Sequence, residues 1–219
     1  MRMNLTELEI RILGCLMEKE LTTPEYYPLT LNALAAACNQ KSNRDPVMSL
    51  AEADLQRGLE ALGARGLARL TTTGGRVDKY VHSMGDKLGL AVPARAVLAE
   101  LMLRGPQTAA ELRSRGERMA EAGDLAAVED ILLALQQHGP PLVVRLPRQP
   151  GRKEARYAQV FAGMPELPEE EPEQPTTTPV PRTRPGNERL EQLEQEVGGL
   201  RQEIGELRRE VEELLAAFS

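Results

Sequence analysis

The sequence contains no tryptophan, and aromatic residues make up only 3% of its 219 positions. Any core must therefore be aliphatic, built from Leu, Val, Ile and Ala rather than from large rings. Histidine occurs twice, at His82 and His138, and neither has a cysteine or carboxylate at metal-ligand spacing. Gly74-Gly75 is read as a turn, since the lysine and serine of a phosphate-binding loop are missing. No catalytic constellation, metal site or cofactor is expected, and the chain is not read as an enzyme. No apolar run approaches the ~18 residues of a membrane span, and the N-terminus lacks a signal-peptide pattern. No membrane partner is expected, and the location is read as cytoplasmic. The two cysteines, Cys15 and Cys38, lie in apolar helical contexts, as reduced and buried thiols would.

An excess of positive charge is also lacking: the net charge is −6. Its distribution changes the meaning. Residues 164–219 carry −8 and residues 1–163 carry +2, so the acidity belongs to the C-terminal tail and does not exclude nucleic acid.

What is present is a pattern of short helices followed by strand pairs. Ser49-Leu50-Ala51-Glu52 reads as a capping box opening a helix, with Leu55, Leu59 and Leu62 on one face and Gly63 and Gly66 at its end. Two strand-like runs follow, 67–72 and 77–82. Before them, Thr6-Glu7-Leu8-Glu9 caps a helix to about Leu21 whose apolar face is Leu8, Ile12, Leu13, Leu16 and Met17. A connector with Pro24 and Pro28 leads to a second helix, 30–39, and a polar turn, 40–47. Three helices and a hairpin are the plan of a winged helix.

The second half repeats this order. Residues 12–17 match 97–102, 32–34 match 110–112, and Leu59, Ala61, Leu62 and Gly66 match Leu132, Ala134, Leu135 and Gly139. Thr108-Ala109-Ala110-Glu111 supplies a further capping box, a third helix is expected from Asp124 to Gly139, and a second hairpin spans 142–160. The fold class expected is mainly α with small β-hairpins (α+β): winged-helix domains over 1–84 and 85–163, then a linker and a coiled-coil helix.

The linker, 164–186, is dominated by Pro, Glu and Thr and cannot bury enough apolar surface to order itself. In the final helix, 187–219, Leu190, Leu193, Val197, Leu200, Ile204, Leu207, Val211 and Leu214 alternate steps of three and four. β-Branched residues at a, with Leu at d, favour a parallel two-stranded coil. Arg189, Glu196 and Glu203 at g face Glu194, Arg201 and Arg208 at e. A parallel homodimer through these residues is expected.

Duplex DNA is the next candidate partner. The third helix of the first half is acidic, with Glu52, Asp54 and Glu60 against Arg57, which opposes groove insertion. The candidate DNA-binding cations surround it: Lys41 and Arg44 in the preceding turn, Arg57 itself, and Arg76 and Lys79 on the first hairpin. The second hairpin is denser, with Arg145, Arg148, Arg152, Lys153 and Arg156. A proline- and glycine-bearing tip so charged suits phosphate or minor-groove contact.

Thr23-Pro24-Glu25-Tyr26-Tyr27-Pro28-Leu29 with Asn32-Ala33-Leu34, then the run from Cys38-Asn39-Gln40-Lys41 through Ser42-Asn43-Arg44-Asp45-Pro46-Val47-Met48, resembles the signature of the bacterial YceH family. Arg76-Val77-Asp78-Lys79-Tyr80 and His82 resemble it too, so the likeness covers about residues 4–163. It implies two winged-helix domains in a cytoplasmic bacterial protein with no established activity and no catalytic residues to carry over. Two functions stay open: a dimeric DNA-binding regulator, or a protein-interaction scaffold resembling the winged-helix subunits of chromosome-organising complexes, without direct DNA contact. Within the signature, Asn39 and Asn43 suit turns; Lys41 and Arg44 are read either as part of that turn or as a phosphate or protein contact.

Overall fold

In a computed structural model that describes residues 3–71, 77–148 and 154–164, the chain is an α+β fold of helices with small antiparallel sheets. Helix α1, Glu7–Thr22, starts at a reciprocal capping box: Thr6 Oγ1 accepts from the Glu9 amide at 3.2 Å, and the Thr6 amide donates to Glu9 Oε2 at 2.7 Å. Glu7 and Glu9 in the first turn and Lys19 in the last complement the helix dipole. The sequence predicts one apolar face here. Instead every residue from Glu9 to Glu18 is buried, so α1 is a central helix covered on all sides.

A single 3-10 turn, Pro24–Tyr26, leads to the short strand β1, Leu29–Thr30, and to α2, Leu31–Cys38, capped by Thr30. Tyr27 packs inward beside His82, whereas Tyr26 is exposed. Helix α3, Glu52–Ala64, begins three residues after the expected cap. Ser49 caps nothing, because Asn39 holds Leu50 extended, and Asp54 accepts from the Ala51 amide instead. Gly63 is still helical; Gly66, at φ +66°, makes the left-handed turn that ends the helix. Strands β2, Ala68–Thr71, and β3, Lys79–His82, pair antiparallel, and β1 joins on the other side of β3, in the order β1–β3–β2. A helix that the sequence reading left out, α4 (Met84–Leu88), then carries the chain into the second half.

There α5, Val92–Arg104, α6, Ala109–Gly116, and α7, Leu125–Gln137, precede the strands β4, Val143–Arg145, and β5, Tyr157–Gln159. The Thr108 capping box forms as the sequence predicts, and α7 starts where expected, at Asp124, whose side chain accepts from the Ala127 amide. Gln107 bridges Tyr157 through both backbone groups, at 3.0 and 2.8 Å, in the position that β1 takes beside β3. The helix–helix–helix–hairpin order is thus present twice.

The two repeats share one interior. Residues Ala96 to Leu103 of α5 are buried like the middle of α1, and these matched helices pack against each other. Gly14 sits at the crossing, where a Cβ would lie 3.0 Å from Leu103 and Met102 side-chain atoms. Buried residues from Leu5 to Phe161 form one apolar cluster, and the Leu5 amide donates to the Phe161 carbonyl at 2.7 Å. The linker beyond Met164 and the leucine-seamed segment, with all eight residues assigned to dimerisation, lie outside the described residues.

Because neighbours in a close-packed core give way only partly, Gly14→Val should cost about 1–3 kcal/mol by overpacking the α1–α5 crossing. Gly116→Ala, with open space around its Cβ, should change stability by less than about 1 kcal/mol. Urea unfolding of the two variants measures the difference.

Candidate nucleic-acid interface

The segment between α2 and α3, which carries most of the signature, is stitched to both repeats. Asn39 brackets Leu50, accepting from its amide at 2.7 Å and donating to its carbonyl at 2.9 Å. Asn43 adopts a left-handed conformation, φ +56°, and its Oδ1 accepts from Arg104 at 2.9 Å. The Asp45 amide donates to the Leu103 carbonyl at 2.9 Å, tying this loop to the end of α5.

Arg44 turns inward, which corrects its assignment as a phosphate contact. Its side chain is fully buried, and its guanidinium grips Glu18 with both terminal nitrogens, at 3.1 and 2.5 Å, while Nε and Nη2 donate to the Ala37 carbonyl. Arg118, from the second repeat, reaches the same carboxylate at 2.7 Å and bonds Glu100 at 2.7 Å. Burial alone would raise the Glu18 pKa, but the hydrogen bond from Arg44 and the charges of Arg44, Arg118 and Lys19 outweigh it, holding the carboxyl below its usual range. Sequence reasoning missed Glu18, Glu100, Arg11 and Arg118. The available signal was charge inside an apolar helical run, Arg11 and Glu18 one heptad apart.

His82 is buried. Its Nδ1 accepts from the Met84 amide at 3.1 Å, which places the ring proton on Nε2, facing Glu20 Oε2 at 3.1 Å. Arg95 also bonds that carboxylate, and the His82 amide donates to the Tyr27 hydroxyl at 2.8 Å. The hydrogen bond to His82 is the main reason the Glu20 pKa is depressed. Both imidazole nitrogens are thus occupied. His138 caps α7, with its ring facing the Leu88 and Pro140 carbonyls.

The remaining candidate cations separate into two groups. Arg57 is exposed but paired with Asp54 one turn away, and Arg156 is held by the Pro106 carbonyl at 2.7 Å and by Glu111 at 3.3 Å. Arg145 and Arg148 on the second hairpin are exposed, Lys79 on β3 is half-buried, and Lys41 is exposed on the loop. None of these four has an ion pair among the described residues. Arg69, which the sequence reading did not select, is exposed on β2, opposite Val81 in the hairpin that also carries Lys79. Arg76, Arg152 and Lys153 lie outside the described residues.

A family model described as "Protein of unknown function, DUF480" matches residues 5–152. The chain belongs to this family. A UPF0502 protein of Citrifermentans bemidjiense is 74% identical over 90% of this chain and 91% of its own length. UPF0502 proteins of Geotalea uraniireducens and Pelobacter propionicus are 68% and 52% identical, each over 90% of both chains. The YceH signature in the sequence belongs to this same family. In this DUF480 member, Asn39, Asn43 and Arg44 of that signature hold the α2–α3 loop onto α1 and α5.

Removing one partner of a buried ion pair leaves the other charge uncompensated, so Glu18→Gln should destabilise the protein by about 3–5 kcal/mol. The same carboxylate sets an acid limit. Its folded-state pKa lies below the unfolded value, so its stabilisation is present above about pH 4.3 and is lost as pH falls through the folded value. Urea unfolding from pH 7 down to pH 3 should show a flatter acid limb for Glu18→Gln than for the natural chain.

Proposed function

We propose that this chain is a dimeric tandem winged-helix protein that contacts duplex DNA through its two β-hairpins and acts as a DNA-associated regulator. The observation that carries this reading is where unpaired positive charge remains. Several helical and loop cations are neutralised by carboxylates, Arg44, Arg95 and Arg118 by buried or half-buried ones and the exposed Arg57 by Asp54 of its own helix; Lys41 on the loop and Arg113 on α6 are exposed without ion pairs among the described residues. The hairpins keep Arg69, Lys79, Arg145 and Arg148 without ion pairs among the described residues, and the sequence adds Arg76, Arg152 and Lys153 at their tips. In each repeat the third helix would be the groove reader of a winged helix. Here Glu52 and Glu60 of α3 and Glu129 and Asp130 of α7 are exposed, and they would repel phosphate. Contact through the hairpins fits the charge pattern; insertion of the helices does not. Such binding is dominated by counterion release and is weakly sequence-selective. Pairing through Leu190, Leu193, Val197, Leu200, Ile204, Leu207, Val211 and Leu214 would double the number of hairpins on one duplex and raise avidity.

The scaffold reading draws on the same third helices, since α7 also exposes Leu125 and Leu133 beside its carboxylates. A pull-down with and without nuclease separates the two, because partners bridged by DNA vanish on digestion and direct ones remain.

Random duplex should shift the full-length protein, with affinity falling steeply as salt rises. Arg145→Gln and Arg148→Gln should each weaken binding and lower the slope of log K against log salt by about 1. Unchanged affinity in the double variant would remove the hairpin assignment. Light scattering should give a dimer mass for the full chain and a monomer mass when Leu193 and Leu200 are both changed to Asp; equal masses would remove the coil.

A further inference from the structure

The two repeats provide an internal comparison for their third helices. Leu55, Leu59 and Leu62 of α3 are matched by Val128, Leu132 and Leu135 of α7, and all of them are buried. The outward positions match in the same register, but their chemistry differs: where α3 has Glu52 and Glu60, α7 has Leu125 and Leu133. These leucines are 40% and 51% exposed, so the packing of α7 on the core does not account for them. Leu133 stands at the middle of the exposed face, with Glu129 and Asp130 one turn before it on either side, and Leu125 lies about 12 Å back along the axis. The charge differs as well. On α3, Arg57 neutralises Asp54, whereas from residue 119 to residue 137 there is no Lys or Arg. Glu121, Glu129 and Asp130 in that stretch are exposed and have no ion pair among the described residues.

Those carboxylates restrict what can cover the leucines. Two α7 helices paired antiparallel, each Leu125 on the other copy's Leu133, would set Glu129 against Glu129. Duplex DNA and anionic lipid meet the same repulsion. A cationic polypeptide with apolar side chains meets attraction instead. We propose that Leu125, Glu129, Asp130 and Leu133 of α7 dock a basic amphipathic helix of a partner protein, one with two apolar side chains two turns apart and Lys or Arg between them. Its apolar residues cover Leu125 and Leu133, and its cations face Glu129 and Asp130. Exposed ion pairs add little affinity, so the leucines supply the binding and the carboxylates select the sign of the partner's charge. This gives the scaffold reading of α7 a partner class. The face is on a different element from the hairpin cations, so it holds whether or not the hairpins meet DNA.

The test pans a displayed library of single helices, with an Ala-rich background and randomised outward positions, on the full-length protein. Enriched sequences should carry Leu, Ile, Met or Phe two turns apart with Lys or Arg between them. Made as free peptides, they should bind the natural chain about tenfold or more tightly than Leu133→Gln, as expected for loss of an apolar anchor. The double variant Glu129→Lys, Asp130→Lys should lose these peptides and select helices with Glu or Asp between the apolar residues. Arg145→Gln with Arg148→Gln should leave peptide affinity unchanged, which separates this face from the hairpins. On the natural chain, added peptide should slow amide exchange in α7, a readout that needs no variant to fold. The proposal is overturned if no basic amphipathic sequence is enriched, if the enriched peptides bind Leu133→Gln equally well, if charge reversal leaves the selected charge unchanged, or if the protected amides lie outside α7.

Discussion

The carboxylate of Glu18 holds three parts of this molecule in one place. It sits on a helix buried on every side, receives both terminal nitrogens of Arg44 from the α2–α3 loop, and takes a further bond from Arg118 of the second repeat. Measured against an apolar replacement such a cluster adds little net stability, because desolvating the charges offsets their attraction. What it specifies is placement. Arg44 reaches Glu18 only if the loop crosses α1 at that point, and Arg118 reaches it only if α1 and α5 pack in this register. The close approach at Gly14 and the bond between Asp45 and Leu103 impose the same register through shape and backbone.

That arrangement also decides the electrostatic character of the surface. Cations drawn inward, or paired along their own helix, cannot attract phosphate from solution. With Arg44, Arg95 and Arg118 engaged, the hairpins still keep Arg69, Lys79, Arg145 and Arg148 without ion pairs among the described residues, while α3 exposes Glu52 and Glu60 and α7 exposes Glu129 and Asp130. The interior in turn keeps one guanidinium, that of Arg11, on the Cys38 and Pro46 carbonyls rather than on a carboxylate. The exterior and interior features have one origin, namely which carboxylates the packing brings within reach of which arginines.

Local chemistry was well read from the chain. Thr6 and Thr108 cap their helices as predicted, and α7 begins at Asp124 as expected, since a cap involves only a side chain and the next few amides. Ser49 failed at the same test because a residue ten positions earlier, Asn39, competes for the backbone beside it. Helix α4 went unread because its five residues carry no periodic apolar pattern. The one-sided face expected for α1 was wrong for a related reason: a periodic stripe shows that one side is covered and says nothing of a second helix covering the other.

From the sequence alone came the family, the repeated order of helices and hairpins, and the charge separation between body and tail. These depend on spacing and composition, which the chain carries directly. Only the tertiary structure decided that Arg44 is a strut and Arg145 a surface charge. Such assignments rest on contacts between residues far apart in the chain, and the fate of a charge depends on whether folding brings it an opposite charge before it can reach solvent.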